Sequence, residues 1–262
     1  MNIASSIFEQ SLWLDRLKFR TFRFVQIQSS NLDADEISVL LRGELASISG
    51  WIKQWNARRF VFHLAIIILG SGCYGAAMGW WRDPQEALYV ALKFPVIILL
   101  TTLGNALINA MLAPLLGLNM SVRESISTVI ISFTVTSAIL GAFSPIMMFA
   151  IWNAPAMVSG MAYSPAYNFL LLANVLVITL AGTTGNLRLY QLLQHFGQSR
   201  EVALRVLFAW QASNLFLGSQ LSWIMRPFIG SPNLPVEFLR PNALHGNFYE
   251  AVAHALQQIL NH

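Results

Sequence analysis

Residues 87–114 read ALYVALKFPVIILLTTLGNALINAMLAP, with no Asp or Glu and a single basic residue, Lys93. A helix needs about 20 mostly apolar residues to cross a ~30 Å hydrocarbon core, so this stretch is long enough to span a bilayer. Four further stretches share its character: 60–80, 126–152, 166–187 and 202–225, none with an acidic residue. The sequence predicts an all-α, polytopic helical membrane protein with about five transmembrane helices.

Composition agrees. The chain is 55% hydrophobic and 11% charged, where soluble domains average about 25% charged residues. Three regions follow: an N-terminal region 1–59, a five-span bundle 60–226, and a Pro-rich tail with a short amphipathic helix, 227–262. No apolar core with a cleavage site precedes residue 60, so the first span is expected to act as an uncleaved anchor. The one cysteine, Cys73, falls in the first span, so an internal disulfide is excluded, and a small buried packing role is expected.

Basic residues set the expected orientation, because Lys and Arg of short loops stay on the cytoplasmic side. With the N-terminus inside, that side holds Arg16, Lys18, Arg20, Arg23, Arg42, Lys53, Arg58 and Arg59, joined by Arg123, Arg188, Arg200 and Arg205. The other holds only Arg82, Lys93, Arg226 and Arg240. The expected location is a bacterial inner membrane, N-terminus cytoplasmic and C-terminus outside. A re-entrant second span, suggested by Pro95, Pro114 and Lys93, would move the C-terminus inside.

Residues 33–56 read as one amphipathic helix at the inner interface. Asp33 and Glu36 have capping-box spacing, and Ile37, Leu40, Leu41, Leu45, Ile48, Ile52 and Trp55 recur at helical spacing. Trp51 and Trp55 beside Arg58 and Arg59, and Trp223 beside Arg226, suit interfacial anchoring. Its apolar face suits either the membrane surface or another protein. Residues 7–27 interleave aromatic and basic residues, as a short strand or a membrane contact would. The basic residues abut a span, so lipid headgroups and not nucleic acid are the expected partners.

Inside the spans, Ser71, Gly75 and Gly79 recur every four residues, a seam on which helices approach closely. Asn105 and Asn109, also four apart, share one face, and Asn174, Asn214 and Gln220 add amides to the fourth and fifth spans. An unpaired amide in lipid costs free energy, so these five are expected to form a buried polar network. It would serve as interhelical glue or line a solute path.

Enzyme chemistry finds no support. Intramembrane carboxylates, common in pumps and ion-coupled transporters, are absent from the five stretches. The five histidines show no metal-ligand spacing, and no span carries a histidine placed to activate Ser219 as a nucleophile. No catalytic residue, metal or cofactor is expected. A lipid-modifying enzyme would need Glu86, Glu124 or His195 near the headgroup plane.

The K-F-P segment at 93–95, the five closely spaced spans and the cytoplasmic N-terminal region resemble the Yip-type superfamily of small five-span membrane proteins. GSQLSWIMRPFIGSP at 218–232 and GNFYEAV at 246–252 are similar to stretches in its bacterial members of unknown function. The resemblance implies a five-span fold and no specific activity. The function expected is that of a non-enzymatic integral membrane subunit or scaffold. Its partners would be the bilayer and other proteins of a membrane complex, or a second copy of itself. The alternative is a permease or channel-like conduit lined by the Asn, Gln, Thr and Ser side chains of spans two to five.

Overall fold

The computed structural model describes residues 32–155, 165–197, 199–229 and 235–250, which divide into two units meeting between Glu44 and Leu45. The basic-aromatic segment 7–27, the Asp33 side chain, Pro232 and residues 251–262 lie outside the described residues.

The first unit contains α1, Leu32–Arg42. It stops because Gly43 adopts a left-handed φ of 75°, open to glycine at little cost. The Gly43 and Glu44 amides both donate back to the Val39 carbonyl, at 2.9 and 3.2 Å. The single amphipathic helix expected over 33–56 is therefore two: a hydrophobic period runs through a glycine that the backbone uses as a terminator.

The second unit begins with α2, Leu45–Lys53, whose Ile48 and Ile52 are buried. Five long helices follow: α3, Ala57–Trp80; α4, Pro84–Leu115; α5, Val122–Trp152; α6, Pro165–Gly197; and α7, Arg200–Met225. Their starts are coded locally. Asn56 accepts from the Arg58 amide at 2.9 Å, and Asp83 accepts from the Gln85 amide at 2.7 Å with Pro84 in the first turn. Ser121 and Glu124 form a reciprocal capping box. Pro145 removes an amide from the interior of α5, and the Ser144 hydroxyl donates to the Gly141 carbonyl at 2.7 Å, occupying the acceptor that the proline leaves open.

Among the described residues four helices are long and apolar enough to cross a membrane: α3, α4, α5 and α6, the last over Ala166–Gly197. On this measure the described residues give four spans, where about five are expected. Although α7 has 26 residues, Gln211, Asn214 and Gln220 lower its hydropathy. Its packing is nonetheless that of a full-length bundle member. Gly117 faces Val202 and Gly104 faces Leu217, while Asn105 bonds Asn214 and Lys93 bonds the Pro227 carbonyl. Position rises along α4 as it falls along α7, so the two run antiparallel from end to end. The helix α4 is continuous through Pro95, which removes the re-entrant alternative.

Around the bundle, α3 packs on α4 and α5, α5 on α6, α6 on α7, and α7 on α4. The small-residue seam divides between two partners. A Cβ at Gly79 would lie 2.8 Å from the Glu86 carbonyl, and one at Gly75 would lie 2.6 Å from that of Val90, so these glycines let α3 and α4 touch backbone to backbone. Gly70, one position before Ser71, meets Ser137 and Gly141 of α5. Ser71 itself is buried and donates to Ile67 O at 2.5 Å. Cys73 is exposed, which corrects the buried role expected for it: the α3 face carrying it turns away from both partners.

Candidate functional site

Helical spacing places Asn105 and Asn109 on one face of α4, 2% and 1% exposed. The Asn105 Nδ2 donates to Asn214 Oδ1 at 2.9 Å. That leaves the Oδ1 atoms of both Asn105 and Asn109 buried without a hydrogen bond, together with the Nε1 of Trp210, one turn before Asn214. The three residues line a cavity of about 250 Å³ to which α4, α5, α6 and α7 all contribute. Ser132 and Thr136 come from α5, Gly182 and Asn186 from α6, and Gln211 from α7.

The cavity lining holds no charged side chain. Ser132 Oγ donates to the Gly185 carbonyl at 2.9 Å and Thr136 Oγ1 to the Ser132 carbonyl at 3.1 Å, so both hydroxyl protons are engaged. Two amide oxygens and one indole N–H remain open. A buried polar group without a partner costs roughly 1–3 kcal/mol, and a cavity of this size, its mostly apolar wall interrupted by amides and hydroxyls, has room for water or a small polar solute.

Of the five amides read from the sequence, the structure brings Asn105, Asn109 and Asn214 to this cavity. Asn174 goes elsewhere: its Oδ1 accepts the Tyr74 hydroxyl at 2.8 Å and its Nδ2 donates to Leu170 O at 2.8 Å. Gln220 is half-buried toward the end of α7 and does not line the cavity. The contribution of Asn186 follows from its i+4 step from Gly182, and that of Gln211 and Trp210 from their i−3 and i−4 steps from Asn214. Those spacings were the available signal, but which helices would face one another was not.

A second site was hidden by the choice of span boundary. Because α4 starts at Pro84, Glu86 belongs to its first turn, one residue before the acid-free stretch 87–114. Glu86 and Lys93 are both 0% exposed, their charged atoms 3.9 Å apart. The Lys93 ammonium donates to Pro227 O at 3.2 Å and Glu237 O at 3.4 Å and lies 5.5 Å from the Phe238 ring centroid. It thereby pins the C-terminal segment to the bundle. That segment then starts a helical turn at 248–250, where Asn247 and Glu250 cap each other, and Tyr249 stacks on Phe216. Of the apolar face expected there, only Phe248 lies among the described residues.

The aromatic-basic anchors sit at opposite ends. Arg59 covers the Trp51 ring at 4.6 Å and Arg123 lies 5.9 Å from that of Trp55, while Arg58 is exposed. At the other end the Arg226 guanidinium lies 3.4 Å from the Trp223 ring and donates to Trp223 O at 2.7 Å. Burial first, and Arg240 second, holds Arg226 below the ordinary arginine range. His63 is buried with neither ring nitrogen hydrogen-bonded. Glu124 is engaged in its capping box and His195 is exposed at the end of α6. Among the described residues no group of three or more His, Cys, Asp or Glu is placed to hold a metal.

No family model, curated protein or solved structure matches the chain.

Proposed function

We propose that the chain is a non-enzymatic, multi-pass membrane protein that admits a small, uncharged polar solute into its bundle, as a permease or channel-like conduit. The observation that carries this reading is the pair of buried, unpartnered acceptors, Asn105 Oδ1 and Asn109 Oδ1, lining a four-helix cavity. A charged solute would lose its hydration there with no counter-charge to meet it. A neutral amide or polyol would satisfy the open groups.

The subunit or scaffold reading relies on surfaces that the chain largely uses itself. The buried Ile48 and Ile52 of α2, the glycines of α3 and the tail at Pro227 and Glu237 all face the chain's own helices. A partner or second copy would sit more readily on α6, the least buried of the four apolar helices.

In this proposal α7 crosses the membrane beside α4, giving five crossings with the N-terminus cytoplasmic and the C-terminus outside a bacterial inner membrane. Support comes from the grouping of Arg58, Arg59, Arg123, Arg200 and Arg205 toward one end, against Arg82, Arg226 and Arg240 toward the other. Five crossings would match the Yip-type superfamily, a kinship on which the conduit does not depend.

The test uses Cys73→Ser protein in proteoliposomes. Gln211→Cys and Gly182→Cys should react with a small water-soluble thiol reagent faster than lipid-facing Leu107→Cys. Swelling in isosmotic urea or glycerol should exceed that of protein-free vesicles and be lost in Asn109→Leu. Labelling no faster than at Leu107→Cys, with swelling equal to that of protein-free vesicles, would overturn the reading.

A further inference from the structure

A second cavity, of about 340 Å³, lies where Met78 of α3, one face of α6 and residues 227–229 meet. Its size falls in the range of small-molecule sites, roughly 300–1,000 Å³, as does its make-up of apolar walls with a few polar groups. Leu171, Val175, Ile178 and Phe228 supply apolar wall, and Arg240 supplies a cation. The Asn174 amide there already bonds Tyr74 and Leu170.

Arg240 is the unusual member. Among the described residues its guanidinium has neither a hydrogen bond nor an ion pair within bonding distance. Its charge acts on Glu86, Lys93 and Arg226. Glu86 already faces Lys93 at 3.9 Å and also feels Arg82. Arg82, Lys93, Arg226 and Arg240 share this end of the bundle with the acids Asp83, Glu86 and Glu237, and Arg240 is the cation that lines the apolar space.

Leu171, Val175 and Ile178 are also exposed on the outer face of α6. The cavity is therefore continuous with the surface that the bilayer covers, and an acyl chain reaches it without crossing water. Arg240 lies beyond the end of α7, past the Trp223–Arg226 pair that suits the interface, where a guanidinium meets an anionic headgroup.

We propose that this cavity binds an amphipathic anion, an acyl chain against the Leu171–Val175–Ile178 face of α6 with its carboxylate or phosphate on Arg240. Arginine suits either head, because its planar fork pairs with two oxygens at once. The site shares only Ile178 with the residues that line the amide-lined cavity, takes its cation from outside that cavity, and stands whether or not that cavity conducts.

The test is native mass spectrometry of the purified full chain in neutral detergent. The probes are dioleoyl phosphatidylglycerol, dioleoyl phosphatidylcholine and oleate, offered in competition. One anion should be retained per chain, in preference to phosphatidylcholine. Retention of phosphatidylglycerol over oleate identifies a phospholipid, and the reverse identifies a free fatty acid. Arg240→Gln should lower retention by about tenfold or more, the scale of one lost charge-assisted hydrogen bond, and Arg240→Lys should restore part of it. Val175→Trp, which fills the wall and keeps the charge, should block binding. Equal retention of phosphatidylcholine and phosphatidylglycerol, or unchanged binding in Arg240→Gln, would overturn the proposal. If Arg240→Gln is not monodisperse, Val175→Trp decides: unchanged anion retention refutes the site.

Discussion

The Asn105 side chain donates to Asn214 Oδ1 at 2.9 Å, joining α4 to α7 well inside both helices. The bond uses the donor of one amide and the acceptor of the other. The Asn105 Oδ1 is left buried without a hydrogen bond, on a residue that lines the cavity. One residue therefore has two roles that mutation can separate, helix association and solute contact.

Replacing both residues removes the bond without stranding a partner. In a double-mutant cycle of Asn105→Leu and Asn214→Leu, read by unfolding in detergent, the coupling energy should be about 0.6 kcal/mol and below roughly 1.7 kcal/mol, the range for hydrogen bonds between membrane helices. Solute permeation should fall far more than stability does. A double mutant that permeates like the parent would confine Asn105 to the structural role.

Lys93 is expected to behave differently, since its removal leaves Glu86 buried and unpaired. Lys93→Met should destabilise the protein by about 3–5 kcal/mol, and adding Glu86→Gln should recover much of the loss. Because Lys93 also holds the Pro227 and Glu237 carbonyls, Lys93→Met should speed cleavage after Glu237 by a glutamate-specific protease. Cleavage at the parental rate in folded Lys93→Met would show that other contacts hold the segment.

The long helices were legible because each is an uninterrupted apolar run, and Asn105 and Asn109 because a four-residue step puts them on one face. What escaped the sequence was mostly a matter of neighbours. Asn174 carries the same signal as Asn214, yet it faces Tyr74 and its amide is closed there. The Glu86–Lys93 pair escaped because hydropathy places the start of a span at its first apolar residue, Ala87, while the helix starts at its cap, Asp83. Gly43 escaped because apolar periodicity continues across it, and only its backbone conformation ends α1.

The start of α5 offers a local test. Ser121 accepts from the Glu124 amide at 3.3 Å and Glu124 accepts from the Ser121 amide at 2.8 Å. Ser121→Ala should cost about 1 kcal/mol and leave permeation intact, since neither residue lines the amide-lined cavity or the one at Arg240. Permeation lost in a stably folded Ser121→Ala would place this helix end in the solute path.

Two glycines with opposite surroundings test the packing. A methyl at Gly79 would lie 2.8 Å from the Glu86 carbonyl and 2.9 Å from the Ala87 Cα and amide nitrogen. All three are backbone atoms of α4, so no side-chain rotation relieves the clash. Gly79→Ala must push α3 from α4, at roughly 1–3 kcal/mol as for other overpacked interiors. It should also disturb Glu86, which lies at the contact. Gly182, on the cavity wall of α6, has nothing within 4 Å of the same added atom, and alanine is the better helix former by up to about 1 kcal/mol. Gly182→Ala should therefore unfold at or above the parental temperature in detergent while narrowing the amide-lined cavity. A fall in stability at Gly182 as large as that at Gly79 would mean that α6 packs more tightly there than the structure has it.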